Sequence, residues 1–249
     1  MSHVRLDHEG AVARLTLNRP EVLNAGDAAW VRDLGAAVKA LPALDPRVVV
    51  ITGAGRAFCT GVDLKALAAD RFHLEDFVAW EDAMTAMERM DALFIAAING
   101  HCLGGGLQLA LVCDYRLASA DARLGLPAVK ERLIPSMSLY RLPRLIGLAR
   151  AQELILLGEP IDARQAERIG LVNRVVAPDE FEAELARTIE RFLALAATTV
   201  AASKRLTRQA FDAGFDEFRR RMEKEFAACL ASDEYRAAME LLRAEQRRP

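Results

Sequence analysis

Apolar and polar positions alternate over residues 4–17, on either side of Asp7-His8-Glu9-Gly10. A period of two interrupted by a glycine turn predicts a β-hairpin, and Asn18-Arg19-Pro20 ends it. From Asp27, a candidate N-cap, Val31, Leu34, Val38 and Leu41 recur at helical spacing until Pro42 and Pro46, which are expected to break the helix. Residues 47–52 form a short, almost wholly β-branched run, as expected of a strand buried on both faces. Between residues 73 and 93, Phe77, Trp80, Met84 and Met87 fall three and four apart, which predicts a helix with one apolar face that serves as core or as a pocket wall. Residues 94–98 read as the next strand, residues 114–117 and 123–126 as further extended pieces, residues 149–157 as helix and residues 171–176 as a late strand. After Pro178 the pattern is helical, with an apolar stripe through Phe211, Phe215, Phe218, Met222 and Phe226. Strand, crossover helix and strand recur at least twice, which predicts an α/β chain with parallel pairing.

The strand at 94–98 runs through Asn99-Gly100-His101-Cys102-Leu103 into Gly104-Gly105-Gly106, and an apolar helix pattern follows at once. Unpaired N–H groups collect where a helix begins, glycine lets a ligand atom approach the main chain, and the helix dipole favours negative charge there. An oxyanion or anion site can be built this way. Equally, three glycines let a helix pack tightly on a strand. Gly53-Ala54-Gly55-Arg56-Ala57-Phe58 invites a dinucleotide-binding reading but fails it, because the third glycine position is Phe58 and no helix starts at the first glycine. Residues 57–65 read instead as a small-residue turn able to present further backbone N–H groups.

The bulk properties narrow the choice of partners. With 33 basic and 35 acidic residues the net charge is −2, so no global basic character points to nucleic acid. No apolar leader core and no membrane-length apolar run occur, and a cytoplasmic location without membrane association is expected. Cys59, Cys102, Cys113 and Cys229 lack ligand spacing and read as reduced, mostly buried hydrophobes, so no metal site is expected. Of the four histidines, only His101 lies beside the glycine turn.

Four segments together resemble the crotonase superfamily, also called the enoyl-CoA hydratase/isomerase family. They are Asn18-Arg19-Pro20 with Leu23-Asn24-Ala25; Ile51-Thr52-Gly53 through Phe58, Gly61, Asp63, Leu64 and Lys65; Asn99-Gly100 through Gly104-Gly105-Gly106, Leu109-Ala110 and Cys113-Asp114; and Gly158 through Ala163, Ala166 and Gly170-Leu171-Val172. The resemblance implies an α/β core of ββα spiral turns over residues 1–195 and a helical trimerisation region over residues 196–249. It also implies a homotrimer or a hexamer built as a dimer of trimers. Coenzyme A thioesters are the implied ligands, with coenzyme A arriving as part of the substrate and no permanently bound cofactor. By position, the thioester carbonyl would sit between the backbone N–H groups of Thr60 and Gly105, an oxyanion hole. Ala57, Phe58, Cys59 and Gly61 lie where the family holds the adenine, with Asp63 in the same loop and Lys65 near the phosphates.

The family's hydratases use two glutamates, and here both positions differ. The first is Gln108, and the second, after Gly125-Leu126-Pro127, is Ala128. A positioned acid or base contributes about 10²–10⁴ in rate, and glutamine cannot exchange its proton near neutral pH. Glu131, three residues past Ala128, is the candidate replacement if the segment is helical, although Lys130-Glu131-Arg132 also reads as a solvated charge cluster. Ser136 and Tyr140 are further hydroxyl candidates. Three functions remain open: an acyl-CoA lyase or isomerase of altered acid/base chemistry, a decarboxylase that needs no base, and an acyl-CoA binding or shuttle protein.

Overall fold

The first hairpin is built as the alternation predicts. β1 (Val4–Glu9) pairs antiparallel with β2 (Val12–Leu17), Val4 opposite Leu17 and Glu9 opposite Val12. A computed structural model of the chain describes residues 2–246. α1 (Ala28–Leu44) follows, its first turn capped by Asp27, whose carboxylate accepts the Trp30 N–H at 2.8 Å. Its buried face carries Trp30, Val31, Leu34, Val38 and Leu41. Contrary to expectation, Pro42 does not end the helix. Lying in the last turn, it removes only the bond to the Val38 carbonyl, and the chain turns out at Asp45 with φ +46.

The middle of the chain repeats one move. β3 (Val48–Gly53) is followed by β4 (Ala57–Cys59), α2 (Leu64–Ala68) and α3 (Leu74–Arg89). β5 (Leu93–Ile98) is followed by β6 (His101–Leu103) and α4 (Gly105–Leu111). β7 (Tyr115–Ser119) and β8 (Arg123–Gly125) lead through a 3₁₀ turn at Pro127–Glu131 to α5 (Ser138–Ile146) and α6 (Leu148–Leu157). The first strand of each pair joins a six-stranded sheet ordered β1-β2-β3-β5-β7-β10, parallel from β2 onward. The second joins a four-stranded sheet ordered β4-β6-β8-β9. β9 (Ile161–Asp162), α7 (Ala163–Arg168) and β10 (Arg174–Val176) complete this α/β spiral of ββα turns.

Two short strands replace what the sequence pattern reads as turn. Ala57–Cys59 is β4 rather than part of a small-residue turn, and His101–Leu103 is β6, so the glycine turn follows a second strand. Cys59 pairs with Cys102 across the smaller sheet, and both side chains are fully buried. The late strand is also shorter than expected: residues 171–173 form a bend, and the buried Arg116 side chain of the neighbouring β7 donates its Nε–H to the Leu171 carbonyl at 2.8 Å.

The chain divides into two compact units, Met1–Ile189 and Glu190–Pro249, the division falling within α8 (Phe181–Leu193). The second unit contains α9 (Ala197–Arg208), α10 (Phe215–Leu230) and α11 (Asp233–Gln246). Glu234 accepts the Ala197 and Thr198 N–H groups at 2.9 and 3.0 Å, capping α9 from α11. An Arg205–Glu225 pair at 2.6 Å ties α9 to α10. Phe211, Phe215 and Phe226 are exposed. Among the described residues, no helix is long and apolar enough to cross a membrane.

Candidate active site

The glycine turn bears out the tight-packing reading and leaves one N–H of the turn, that of Gly105, without an acceptor among the described residues. Gly104 enters α4 at φ +52 and ψ −122, a conformation that a residue with a Cβ cannot adopt without strain. A Cβ on Gly106 would lie 2.1 Å from the Cys59 carbonyl oxygen, and one on Gly105 would lie 2.7 Å from the Trp80 ring, so tight packing is real. The Gly104 N–H donates to the Gly125 carbonyl at 2.9 Å and the Gln108 N–H to the Gly104 carbonyl at 3.1 Å. Among the described residues the Gly105 N–H has no acceptor, and neither has that of Thr60.

Thr60 and Gly61 face that turn from the loop after β4. Gly61, at φ +95, approaches so closely that a Cβ on it would lie 2.9 Å from the Gly105 nitrogen. Several contacts pin this loop. The Gly26 N–H donates to the Gly61 carbonyl at 2.8 Å, and the Asp63 N–H to the Gly26 carbonyl at 2.9 Å. The Thr60 hydroxyl donates to the Leu23 carbonyl at 3.3 Å. Asp63 caps α2 by accepting the Lys65 and Ala66 N–H groups, and it meets the Arg19 guanidinium at 3.3 Å. Arg19 also reaches Asp27 at 3.1 Å and the Ala25 carbonyl at 2.6 Å. Asn24, fully buried, accepts the Arg19 N–H and donates to the Ala54 and Ala57 carbonyls. The first matched segment is therefore a brace for the loop that carries Thr60.

A pocket enclosing about 540 Å³, its open mouth included, lies over these groups. Thr60, Gly61, Gly104, Gly105, Gln108, Ala128, Glu131 and Ser136 line it, with Val62, Phe77, Trp80, Met84, Leu133 and Ile134 as its apolar surface. Ala128 and Glu131 share a face because the segment Pro127–Glu131 is a 3₁₀ turn, in which residues three apart eclipse. Glu131 reaches solvent at the mouth, yet partial desolvation pushes its carboxyl above the usual carboxylate range. The wall is held by charge: Arg141 of α5, its side chain 8% exposed, grips Glu81 and Glu88 of α3 at 2.5 and 2.8 Å.

The remaining sequence candidates fall elsewhere. The side chains of Phe58 and Cys59 are fully buried in the core and Ala57 is nearly so, which leaves only their backbone for ligand contact. Burial pushes the Cys59 thiol up to about 12, against the opposing effect of the Gly61 N–H, so it is a thiol and not a thiolate. Lys65 is exposed in α2. Met87 is core, and His101 and Tyr140 are outside the pocket lining, the Tyr140 ring lying 3.4 Å beneath the Arg144 guanidinium. Sequence reasoning missed Leu133, Ile134 and the Arg141 clamp. The partners of that clamp are 53 and 60 residues apart, beyond any local pattern.

Comparison with known proteins gives the family of the chain. The family model described as enoyl-CoA hydratase/isomerase matches residues 7–249. A Rhizobium meliloti (strain 1021) protein named "Probable enoyl-CoA hydratase" is 36% identical over 241 residues, 94% of this chain and 92% of that protein. The crystal structure of enoyl-CoA hydratase from Mycobacterium smegmatis aligns with a TM-score of 0.92 at 30% identity, covering 99% of this chain and 98% of that one. A Thermobifida fusca YX structure described with the enoyl-CoA hydratases, in complex with acetoacetyl-CoA, aligns with a TM-score of 0.83 at 32% identity over 92% of this chain and 95% of that one.

Proposed function

The chain belongs to the enoyl-CoA hydratase/isomerase family, and on that premise we propose that it takes an acyl-CoA thioester and works through an enolate held in an oxyanion hole formed by the Thr60 and Gly105 N–H groups. Polarising the thioester carbonyl acidifies the α-carbon and stabilises the enolate, and a lost donor in such a hole costs roughly 3–4 kcal/mol of transition-state stabilisation. Both donors belong to the backbone, so the hole tolerates a threonine. Glu131 is the single acid/base, and Gln108 orients water or the acyl group without exchanging a proton. With Gln108 and Ala128 at the two glutamate positions, hydration is slower than in a two-glutamate enzyme.

One observation carries the reading: Thr60 and Gly105, whose N–H groups have no acceptor among the described residues, line the same pocket as Glu131, a carboxyl raised by desolvation. A raised carboxyl suits proton exchange nearer neutrality. The acetoacetyl-CoA complex of the Thermobifida fusca relative supports the thioester as ligand. The coenzyme A moiety runs along the backbone of Ala57, Phe58 and Cys59 and past Gly61 and Asp63, with Lys65 towards the phosphates. The exposed apolar face of the second unit supports a homotrimer, or a hexamer of two trimers.

A substrate panel tests this. Purified protein is mixed separately with a 2-enoyl-CoA, a 3-enoyl-CoA and a malonyl-type thioester, and products are followed by mass spectrometry. Hydration or double-bond migration lost in Glu131→Gln is the expected result. Turnover of the malonyl-type thioester alone would make the protein a decarboxylase, and binding without turnover a carrier. Failure to bind any of the three would overturn the thioester reading.

A further inference from the structure

Trp80 lines the pocket, and its ring is packed against Trp30, Gly26 and Gly105. The indole lies with its centroid 4.7 Å from that of Trp30, tilted by 55°, and Trp30 is fully buried behind it. A Cβ on Gly26 would lie 3.0 Å from the Trp80 ring and one on Gly105 2.7 Å, so the ring is wedged between two glycine backbones. The indole nitrogens of Trp30 and Trp80 are both buried without an acceptor among the described residues. Shape rather than hydrogen bonding therefore holds the pair, despite the penalty that unpaired buried donors carry.

The helix bearing Trp80 is fixed as well. Arg141 binds the carboxylates of Glu81, next to Trp80 on α3, and of Glu88, two turns later, through four contacts of 2.5–3.1 Å. Phe77, one turn before Trp80, packs edge-on against Phe72 with centroids 4.8 Å apart. Close-packed interiors yield little space without repacking.

We propose that Trp80 sets the length of the acyl group, restricting the protein to short-chain acyl thioesters. The inference rests on the thioester reading above. The Trp80 ring packs against Gly105 and both residues line the pocket, so the carbons that follow a carbonyl held at Gly105 have the indole within reach. A few carbons fill the space in front of the ring. A longer chain meets a wall backed by Trp30.

Butyryl-CoA and octanoyl-CoA, titrated calorimetrically against the full chain and its Trp80→Leu and Trp80→Phe variants, test this. In an open pocket each added methylene strengthens binding by about fourfold, so octanoyl-CoA would bind tighter. The stop predicts the reverse, with butyryl-CoA bound about tenfold tighter by the wild type. In Trp80→Leu, the ratio of octanoyl-CoA to butyryl-CoA affinity rises by about tenfold. Trp80→Phe keeps an aromatic contact with Trp30 and shifts the ratio in the same direction by less, which decides the matter if Trp80→Leu does not fold. Tighter wild-type binding of octanoyl-CoA, or a ratio unmoved in the folded variants, overturns the role of Trp80 while leaving the thioester reading intact. Binding of neither ligand overturns both.

Discussion

The α-carbon of Gly61 faces the amide nitrogen of Gly105 so closely that a Cβ on Gly61 would lie 2.9 Å from it. A methyl group there would occupy the space a ligand oxygen needs, and φ +95 disfavours any residue but glycine. Gly61→Ala is therefore expected to lower kcat/KM by about 10²–10³, the scale of one lost oxyanion donor. Steady-state kinetics alongside circular dichroism check this. A folded variant with unchanged kcat/KM would separate Gly105 from the chemistry.

Glu131 should govern the pH profile. Desolvation raises its carboxyl, so the charged form needed to abstract a proton is lost at a higher pH than for a free glutamate, whose pKa is about 4.3. The rate of proton abstraction should thus fall on the acid side through a midpoint above that value, and the limb should vanish in Glu131→Gln. Rate against pH between acid and neutrality measures it, and a limb that survives the substitution would assign the titration to another group.

Gln108 and Ala128, at the positions where the resemblance implies glutamates, predict a gain of function. Gln108→Glu with Ala128→Glu places two more carboxyls in the same pocket, and hydration of a 2-enoyl-CoA is expected to rise by about 10²–10⁴. Loss of the 2-enoyl absorbance gives the rate directly. A wild type already as fast as the double variant would show that Gln108 and Ala128 do not limit hydration.

Arg141 should matter most for stability. Arg141→Met removes the cation that binds both Glu81 and Glu88, a change expected to destabilise the fold by about 3–5 kcal/mol. Adding Glu81→Gln should recover part of that loss. Urea unfolding of the two single variants and the double variant closes the cycle. Additive losses would mean that the clamp is not a coupled unit.

The parts legible in the sequence are those whose signal is local or carried by the main chain. Gly104, Gly105 and Gly106 announce a turn that no other residues could make, and the Ala128–Glu131 spacing places both on one face even though the turn is 3₁₀ rather than α. β4 and β6 were illegible as strands because three residues are too few to show a period. Pro42 misleads because its penalty depends on how much helix follows it, and only Ala43 and Leu44 do. Arg141 gives no local sign of its role, since both of its partners lie on a helix distant in sequence. The length stop at Trp80 depends likewise on Trp30 and Gly105, which only the fold brings to it.

Exchange of the α-proton tests the central claim most directly, because it reports enolate formation whatever the subsequent reaction. A saturated short-chain acyl-CoA is incubated with the protein in deuterated water, and deuterium at the α-carbon is followed by mass spectrometry. The predicted result is exchange by the wild type that falls by about 10²–10⁴ in Glu131→Gln while the thioester still binds. Tight binding with no exchange by the wild type, or exchange undiminished in Glu131→Gln, would contradict the account.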